Sequence, residues 1–114
     1  MARDITARLR TVGQLLTGTG ATTVYTCPAN FETEVKLLYV NNLHSGAVDL
    51  TIKVVLSSTD TPIVTTYSMA ADDILDVFNS SGPIAMQAAD TIVVTAGTAS
   101  KLNVVVTVSE SFVG

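Results

Sequence analysis

The sequence predicts an all-β fold: a single antiparallel β-sandwich with an N-terminal arm and either a jelly-roll or an immunoglobulin-like order of strands. Three observations predict it. Valine, isoleucine and threonine, which suit the pleated surface of a sheet, make up 39 of the 114 residues. Apolar and polar residues alternate along several segments, and turn residues recur about every ten positions. A chain of 114 residues has room for one such domain.

The charged residues divide the chain into a basic arm, residues 1–16, and a β-sandwich body, residues 17–114. The arm carries three arginines and one aspartate, whereas the body carries three lysines and nine acidic residues. Gly18 and Gly20 favour a flexible joint between them. Only 14% of all residues are charged, against about 25% in an ordinary domain. We interpret this shortage of charged residues as a sign that an assembly covers much of the surface. The alternative is a surface coated with hydroxyl groups.

The arm has two possible conformations and two possible roles. From Ile5 to Leu16 its apolar residues follow one another at helical steps, whereas Thr11 and Gly13 favour an extended segment. It is suited to lying on an acidic neighbouring protein, and the alternative is that it forms the first strand of the domain's own sheet. The residues predicted to contact a partner are Arg3, Ile5, Arg8, Leu9, Arg10 and Val12.

The first half of the body predicts strands at residues 22–27, 33–43 and 47–57. Pro28 ends the first, because proline has no N–H to donate to a sheet. The second has apolar residues on both faces, which is typical of a strand covered on both sides. The third alternates between apolar and polar residues, as a half-buried strand does.

The second half of the body predicts shorter strands. A hydroxyl-rich turn at residues 57–61 and Pro62 precede a strand at residues 63–69. Residues 70–78 favour either a short helical turn or a loop that leads into a strand at its end. A turn at residues 80–83 precedes a short strand at 84–86. The segments 90–96 and 102–109 are predicted to form a hairpin around Gly97.

The sequence has few residues with which to build a catalytic or metal site. Its one histidine, His44, lies beside a turn, and no G-x-S-x-G motif is present. Its one cysteine, Cys27, has the position of a small buried hydrophobe. Asp72, Asp73 and Asp76 form a cluster without the spacing of a calcium loop, which favours a solvated turn. We therefore predict no enzymatic activity, no catalytic residues, no cofactor and no metal.

Charge and hydropathy also limit the classes of partner that we expect. Six basic residues in a chain of net charge −4 predict no specific binding to nucleic acid, because affinity for phosphate depends on lysine and arginine. No apolar run reaches the length of about 18 residues that a membrane helix needs. A single cysteine excludes an intramolecular disulfide and suits synthesis in a reducing cytoplasm.

Four segments of the body, residues 19–30, 33–42, 48–56 and 90–96, resemble small all-β virion proteins of tailed bacteriophages. Residues 19–30, TGATTVYTCPAN, are similar to a strand end of that group, although Cys27 stands where an aliphatic residue is more usual. Residues 33–42, TEVKLLYVNN, are similar to the strand that follows it. Residues 48–56 and the segment DTIVVTA at residues 90–96 are similar to later strands of the group. The resemblance covers residues 19–110.

That resemblance implies a structural protein of the virion, made in the host cytoplasm. The expected function is that of a capsid decoration or cement protein, which binds the head shell and stabilises it. The expected partners are further copies of the chain, with a trimer favoured, and the major capsid protein or another virion protein. The alternatives are a neck, tail or baseplate accessory component and a carbohydrate-binding adhesion module. The low aromatic content of 5% counts against the last of these.

Overall fold

The computed structural model describes residues 7–78 and 83–113, which form nine β-strands and no helix. This part of the chain therefore contains no helix long and apolar enough to cross a membrane. The predicted all-β class is confirmed. The strands are β1 (Arg8–Leu15), β2 (Thr22–Thr26), β3 (Phe31–Asn42), β4 (Val48–Leu56), β5 (Thr59–Met69), β6 (Ile74–Asp76), β7 (Ile84–Met86), β8 (Thr91–Ala96) and β9 (Leu102–Phe112).

The strands pair as one long antiparallel ribbon that is folded at the turn between β4 and β5. Outward from that turn, β4 pairs with β5, β3 with β6 and β7, β2 with β8, and β1 with β9. The ribbon then rolls up, so that β9 also pairs with β3 and β8 also pairs with β4. Such a rolled ribbon is a jelly roll.

Rolling produces two sheets that pack face to face. One has five strands in the order β1-β9-β3-β6, with β7 also on β3, and the other has the order β2-β8-β4-β5. In an immunoglobulin-like order the first two strands share a sheet, whereas here β1 and β2 lie in opposite sheets. The structure therefore decides between the two predicted strand orders in favour of the jelly roll.

The core lies between the sheets and is built from alternate residues of each strand. Because successive side chains of a strand point to opposite faces, every second residue of the long strands is available to it. The inward residues of β9 and β4 are almost completely buried and form the centre of the core. They are Leu102, Val104, Val106 and Val108 on β9, and Val48, Leu50, Ile52 and Val54 on β4.

A bulge in β3 explains its apolar residues on both faces. The pairing of β3 with β9 shifts register between Val35 and Leu37. As a result Val35 and Leu38 both face the core, while Leu37 and Tyr39 lie half-buried on the opposite face. The expectation of a strand covered on both sides was wrong for the described residues, because the pattern comes from this change of phase.

The turn between β4 and β5 is shorter than predicted. Only Ser57 and Ser58 lie in it, and both have positive φ, 51° and 65°. Two central residues with positive φ are the mark of a type I′ turn, which matches the twist of a two-stranded ribbon. The buried Asp90 carboxylate accepts the Ser57 N–H at 2.9 Å and thereby ties the turn to the start of β8.

The hairpin predicted around Gly97 is wrong, because β8 and β9 lie in different sheets. The segment between them crosses from one sheet to the other. Along it the Gly97 N–H donates to the Asp49 carbonyl at 2.8 Å, and the Ser100 N–H donates to the Leu16 carbonyl at 2.8 Å. A Cβ atom on Gly97 would lie 3.1 Å from Cβ of Asp49, so the crossing requires glycine for close approach.

The buried side chain of Asn42 joins two loops at the other end of β3, the β3–β4 loop and the β5–β6 loop. Its Nδ2 donates to the carbonyls of Gly46, Met69 and Ala70 at 3.1, 3.2 and 2.9 Å. Its Oδ1 accepts the main-chain N–H of His44 at 2.9 Å. One amide thus bonds four main-chain groups near the strand ends.

Candidate partner-binding surface

β1 is an edge strand and contains most of the described part of the predicted arm. It pairs with β9 from Arg8 opposite Glu110 to Leu15 opposite Asn103 with no shift of register. Residues 8–15 are thus extended and lie in the domain's own sheet, the second of the two predicted roles. Arg3 and Ile5 lie outside the described residues. Partner binding by the arm, and the division between residues 16 and 17, stay predictions.

A buried carboxylate attaches the start of β1 to the sandwich. Glu110 is completely buried on the inner side of β9. Its Oε1 accepts the Arg8 Nε–H at 2.7 Å, and its Oε2 accepts Arg10 Nη1–H at 3.2 Å. The pairing of β1 with β9 places Arg8 directly opposite Glu110 and Arg10 one inward position further along. The carboxylate therefore receives both arginines from the same side.

The carboxylate continues into a buried chain of hydrogen bonds. The Tyr25 hydroxyl donates to Oε2 of Glu110 and lies 2.8 Å from the Thr33 hydroxyl, which donates to Sγ of Cys27 at 3.1 Å. No buried side-chain nitrogen or oxygen of the described residues lacks a hydrogen-bond partner. Because Tyr25 lies on β2 and Glu110 on β9, this chain joins the two sheets.

The cluster shifts the pKa values of its members. Burial alone raises the pKa of Glu110, but the hydrogen bonds from Tyr25 and Arg8 and the charges of both arginines outweigh it, so the net pKa is lowered. Burial and the hydrogen bond to Glu110 raise the pKa of the Tyr25 hydroxyl, and burial raises that of the Cys27 thiol. At neutral pH Glu110 is charged and Cys27 is a thiol, which is a poor nucleophile.

Arg8 also packs on an aromatic pair at this end of the sandwich. Its guanidinium carbon lies 4.7 Å from the centre of the Phe31 ring, within cation–π range. The Phe31 and Phe112 rings meet edge to face with centres 5.5 Å apart. The guanidinium is thus held by a carboxylate and by a ring face, so β1 begins at a fixed point.

The predicted partner-binding residues that the structure describes divide between the two faces of β1. Arg8, Arg10 and Val12 face inward, and Leu9 faces outward. Arg8 and Arg10 have half-exposed side chains, 53% and 46%, and both bond Glu110 of their own chain. Val12 faces inward and packs against the core. Leu9 faces outward and is 73% exposed. An acidic partner would have to compete with Glu110 for these arginines, whereas Leu9 is free to meet an apolar surface.

The outer face of the five-stranded sheet carries further apolar residues besides Leu9. We define this outer face by six residues, of which three are half-buried and three are exposed large hydrophobics. They are Leu37, Tyr39 and Val105, then Leu9, Leu15 and Ile74. At the centre of the face Val105 lies between Gly13 and Tyr39, and Asp76 lies on the far side of Tyr39.

A shallow acidic depression lies on the same side of this sheet, near the start of β3. Its volume is about 350 Å³, and its lining combines two carboxylates with hydroxyl groups. Glu34 pairs with Lys36 at 3.0 Å across half-exposed side chains. The lining residues are Glu32, Thr33, Glu34, Pro83, Ala85, Ser109 and Ser111. No histidine is among the described residues that line this depression.

The candidate residues for catalysis or metal binding do not come together in the described part of the chain. The His44 backbone bonds Asn42, while Cys27 lies in the buried chain of Tyr25 and Thr33. Residues 7–78 and 83–113 contain no group of three or more histidine, cysteine, aspartate or glutamate side chains able to hold a metal ion. Asp73 and Asp76 accept main-chain N–H groups at the ends of β6.

Three buried polar residues were missed by the sequence analysis, namely Glu110, Asp90 and Asn42. For Glu110 a signal was present, because it continues the inward alternation of Val104, Val106 and Val108 by one more step. A charged residue at an inward position predicts a buried partner. For Asp90 and Asn42 no such signal exists, since both lie at strand ends where turn residues are common.

Comparison with known proteins establishes the fold. No protein-family model matches the sequence, and no curated protein matches it. A chain of the Bacillus endospore appendages, described as a family of disulfide-linked pili, aligns at TM-score 0.56 and 11% identity, covering 98% of this chain and 93% of that one. A chain of the acidic stable capsid of Helicobacter pylori bacteriophage KHP30 aligns at TM-score 0.54 and 9% identity, covering 96% and 90%.

A third similar structure is a virus-like particle of the extra small virus of the giant freshwater prawn Macrobrachium rosenbergii. Its chain aligns at TM-score 0.51 and 9% identity, covering 97% of this chain and 81% of that one. At such identities the three alignments describe a shared arrangement of strands over nearly the whole length of this chain.

Proposed function

We propose that this protein is a structural subunit of a virion, and specifically a capsid decoration or cement protein that binds the head shell. The observation that carries the proposal is a single jelly-roll domain with an apolar outer face and an open sheet edge. Two of the similar structures belong to viral particles and one to a pilus, so the same arrangement of strands serves in particles built from many copies. A fold alone does not determine function, which is why the surface matters here.

The surface supports a binding role in two ways. Leu9, Leu15 and Ile74 are 73%, 40% and 60% exposed on one face of one sheet. They lie around the half-buried Leu37, Tyr39 and Val105, so apolar side chains are spread over this face, and exposed apolar surface is a feature of interaction sites. The charge-poor composition agrees, because 14% of residues are charged. The cores of interfaces are likewise depleted of charged residues.

The proposed mechanism is cementing. Each copy binds across a joint between neighbouring shell subunits and contributes binding energy that opposes separation of the joint. We expect residues 1–6, which include Arg3 and Ile5, to bind a neighbouring subunit, since they immediately precede Arg8, where β1 is attached to Glu110.

Quantitative analysis of gradient-purified particles tests this proposal. We expect the protein to sediment with the particle at high copy number, and gold-labelled antibody to bind over the head. Removal of residues 1–6 is expected to reduce occupancy while leaving β1 and the thermal unfolding of the domain unchanged. Label confined to the tail would favour the neck or tail alternative. Absence from purified particles would contradict the virion role altogether.

A further inference from the structure

We infer that the open edge of β1 is a self-association surface, on which the β1 strand of a second copy pairs antiparallel about a two-fold axis through Val12. This contact would join two five-stranded sheets into one continuous sheet. The inference deepens the proposed role in an assembly by naming the surface on which copies meet. It is tested on the purified protein, without particles. Self-association can therefore fail while particle binding holds, and particle binding can fail while self-association holds.

The direction of the main-chain groups of β1 identifies the open edge. The Leu16 N–H donates to the Leu102 carbonyl at 2.9 Å, so at this position the main chain faces β9. In an antiparallel pair the N–H and C=O groups of successive residues alternate in direction. The even-numbered residues of β1 therefore bond β9. The residues whose N–H and C=O groups point to the open edge are Leu9, Thr11, Gly13 and Leu15.

The other sheet edges in the described residues are protected against such pairing. β6 and β7 have three residues each. β2 has five residues and shifts register between Thr23 and Tyr25. β5 contains Pro62, shifts register twice against β4 and has positive φ at Thr66. Short strands, prolines and bulges are the usual means of blocking edge pairing, and β1 has none of them over eight residues.

The sequence of β1 is complementary to itself in one register. Directly opposed residues of a continuous sheet lie on the same face, so odd residues must pair with odd ones. Pairing about Val12 sets Leu9 against Leu15 and Thr11 against Gly13, each twice by symmetry. All four residues with open main-chain groups then become hydrogen-bonded pairs, which gives eight bonds. A register one step away, centred on Thr11, pairs only three of these four residues and leaves Leu15 unpaired.

Charge does not oppose this contact. Arg8 and Arg10 point inward and both bond Glu110 of their own chain. In the proposed register Arg8 lies beyond the paired segment, and Arg10 lies opposite the uncharged amide of Gln14. The opposed residues on the outer face carry no charge. In each of the two leucine pairs, Leu9 of one copy covers Leu15 of the other. The only edge in the described residues that is long, regular and uncharged on its outer face is thus β1, which makes a second β1 its best match.

The size of the contact determines how it should be measured. Seven paired residues at about 3.3 Å each span roughly 20 Å, and such an edge buries less than the roughly 1,200 Å² of a standard interface. We therefore expect a dimer whose population depends on concentration. A two-fold contact closes at two copies, so the purified protein should be a dimer where the sequence favoured a trimer. Light scattering at two concentrations distinguishes them.

Cysteine cross-linking tests the register. Two Val12 residues across the axis form a non-hydrogen-bonded pair with Cα atoms about 4.5 Å apart, within reach of a disulfide. We expect Val12→Cys to cross-link under mild oxidation. Leu9→Cys is the matched control, because two Leu9 residues would lie about 20 Å apart. The unmodified chain serves as background, since its Cys27 is buried.

Main-chain chemistry tests the edge itself. Thr11→Pro removes an open-edge N–H without touching a bond to β9, and Thr11→Val keeps that N–H while losing the same contact to Thr107. We expect the proline variant to weaken dimerisation by about tenfold or more, because two bonds are lost by symmetry, and the valine variant to leave it nearly unchanged. Circular dichroism checks that both variants fold.

Amide hydrogen exchange provides an independent measurement. At high protein concentration the N–H groups of Leu9, Thr11, Gly13 and Leu15 should gain protection, whereas those of Arg10, Val12 and Gln14 should be protected at every concentration. Dimerisation without cross-linking of Val12→Cys would overturn the inference, and so would a chain that stays monomeric. Protection of the odd-numbered amides only after shell protein is added would also overturn it, by assigning the edge to a different partner.

Discussion

The loss of stability on breaking the Glu110 cluster should depend on whether the carboxylate or the two arginines are removed. Glu110→Gln removes the buried charge and leaves two arginines whose side chains are about half exposed and can be hydrated. Arg8→Met with Arg10→Met removes the cations and leaves a completely buried carboxylate with only Tyr25 as donor. The double variant should therefore be the more destabilised, although it alters the more exposed residues.

The magnitudes follow from the geometry. A hydrogen bond to a charged group contributes about 1.5–3 kcal/mol, but exposure weakens the two arginine contacts, so we expect Glu110→Gln to lower the free energy of unfolding by about 2 kcal/mol. Leaving a buried charge without its partners costs about 3–5 kcal/mol, which we expect for the double arginine variant. At about 4 °C per kcal/mol for a domain of this size, the two variants should lose roughly 8 and 12–20 °C in Tm.

Urea unfolding at neutral pH measures both variants, and Lys53→Met is the control. Lys53 Nζ lies 2.8 Å from Asp60 Oδ2, but this ion pair is exposed and should contribute less than about 1 kcal/mol. If Glu110→Gln proved as destabilising as the double arginine variant, or more so, the reasoning from the buried carboxylate would be refuted. A double variant no weaker than Lys53→Met would refute it equally.

The same cluster predicts a pH dependence. The pKa of Glu110 is lowered in the folded protein, so its contribution to stability is complete above the ordinary glutamate pKa of about 4.3. That contribution is lost as the pH falls through the lowered value in the folded state. Glu110→Gln should therefore be less sensitive to acid below about pH 4 than the unmodified chain. Equal slopes of unfolding free energy against pH for the two proteins would contradict the assignment.

Three further changes test the loops that shape the jelly roll. Asn42→Ala should lower the unfolding free energy by about 3 kcal/mol, because four main-chain groups lose their buried partner; a loss under 1 kcal/mol in urea unfolding would contradict this. Ser57→Asn with Ser58→Gly should raise Tm by a few degrees, about 1 kcal/mol, because asparagine and glycine suit positive φ at both turn positions; an unchanged or lower Tm would argue against a type I′ turn. Gly97→Ala should cost about 1–3 kcal/mol through its contact with Asp49, whereas Gly13→Ala, with open space around it, should cost nothing in the same assay.

The local pattern of the sequence predicted the strands well and their partners poorly. Alternation fixed the third strand within a residue of β4, and Ile84–Met86 was predicted at its observed bounds. Both signals are local, since they depend on neighbours two residues apart. The pairing of β1 with β9 joins residues about a hundred positions apart, and no local signal carries that information.

The hairpin expected at Gly97 shows the limit in physical terms. A glycine between two alternating segments is the sequence pattern of a hairpin, but it is also the pattern of a crossing where two backbones approach closely. The choice between them is made by Asp49, whose Cβ would lie 3.1 Å from a side chain at Gly97. Asp49 is 48 residues away, so the sequence around Gly97 does not contain the deciding contact.

The candidate site, too, could be predicted only where the information lies in neighbouring residues. The arm was recognised from its charges, yet the partner of two of its arginines is Glu110, near the other end of the chain. Had both arginines been free, β1 would present inward charges that discourage strand pairing. Their ion pairs with Glu110 hold the start of β1 against β9 and leave Leu9, Thr11, Gly13 and Leu15 to define the open edge. The buried carboxylate that fixes the first strand in the sheet is thus also what makes that strand suitable for pairing with another copy.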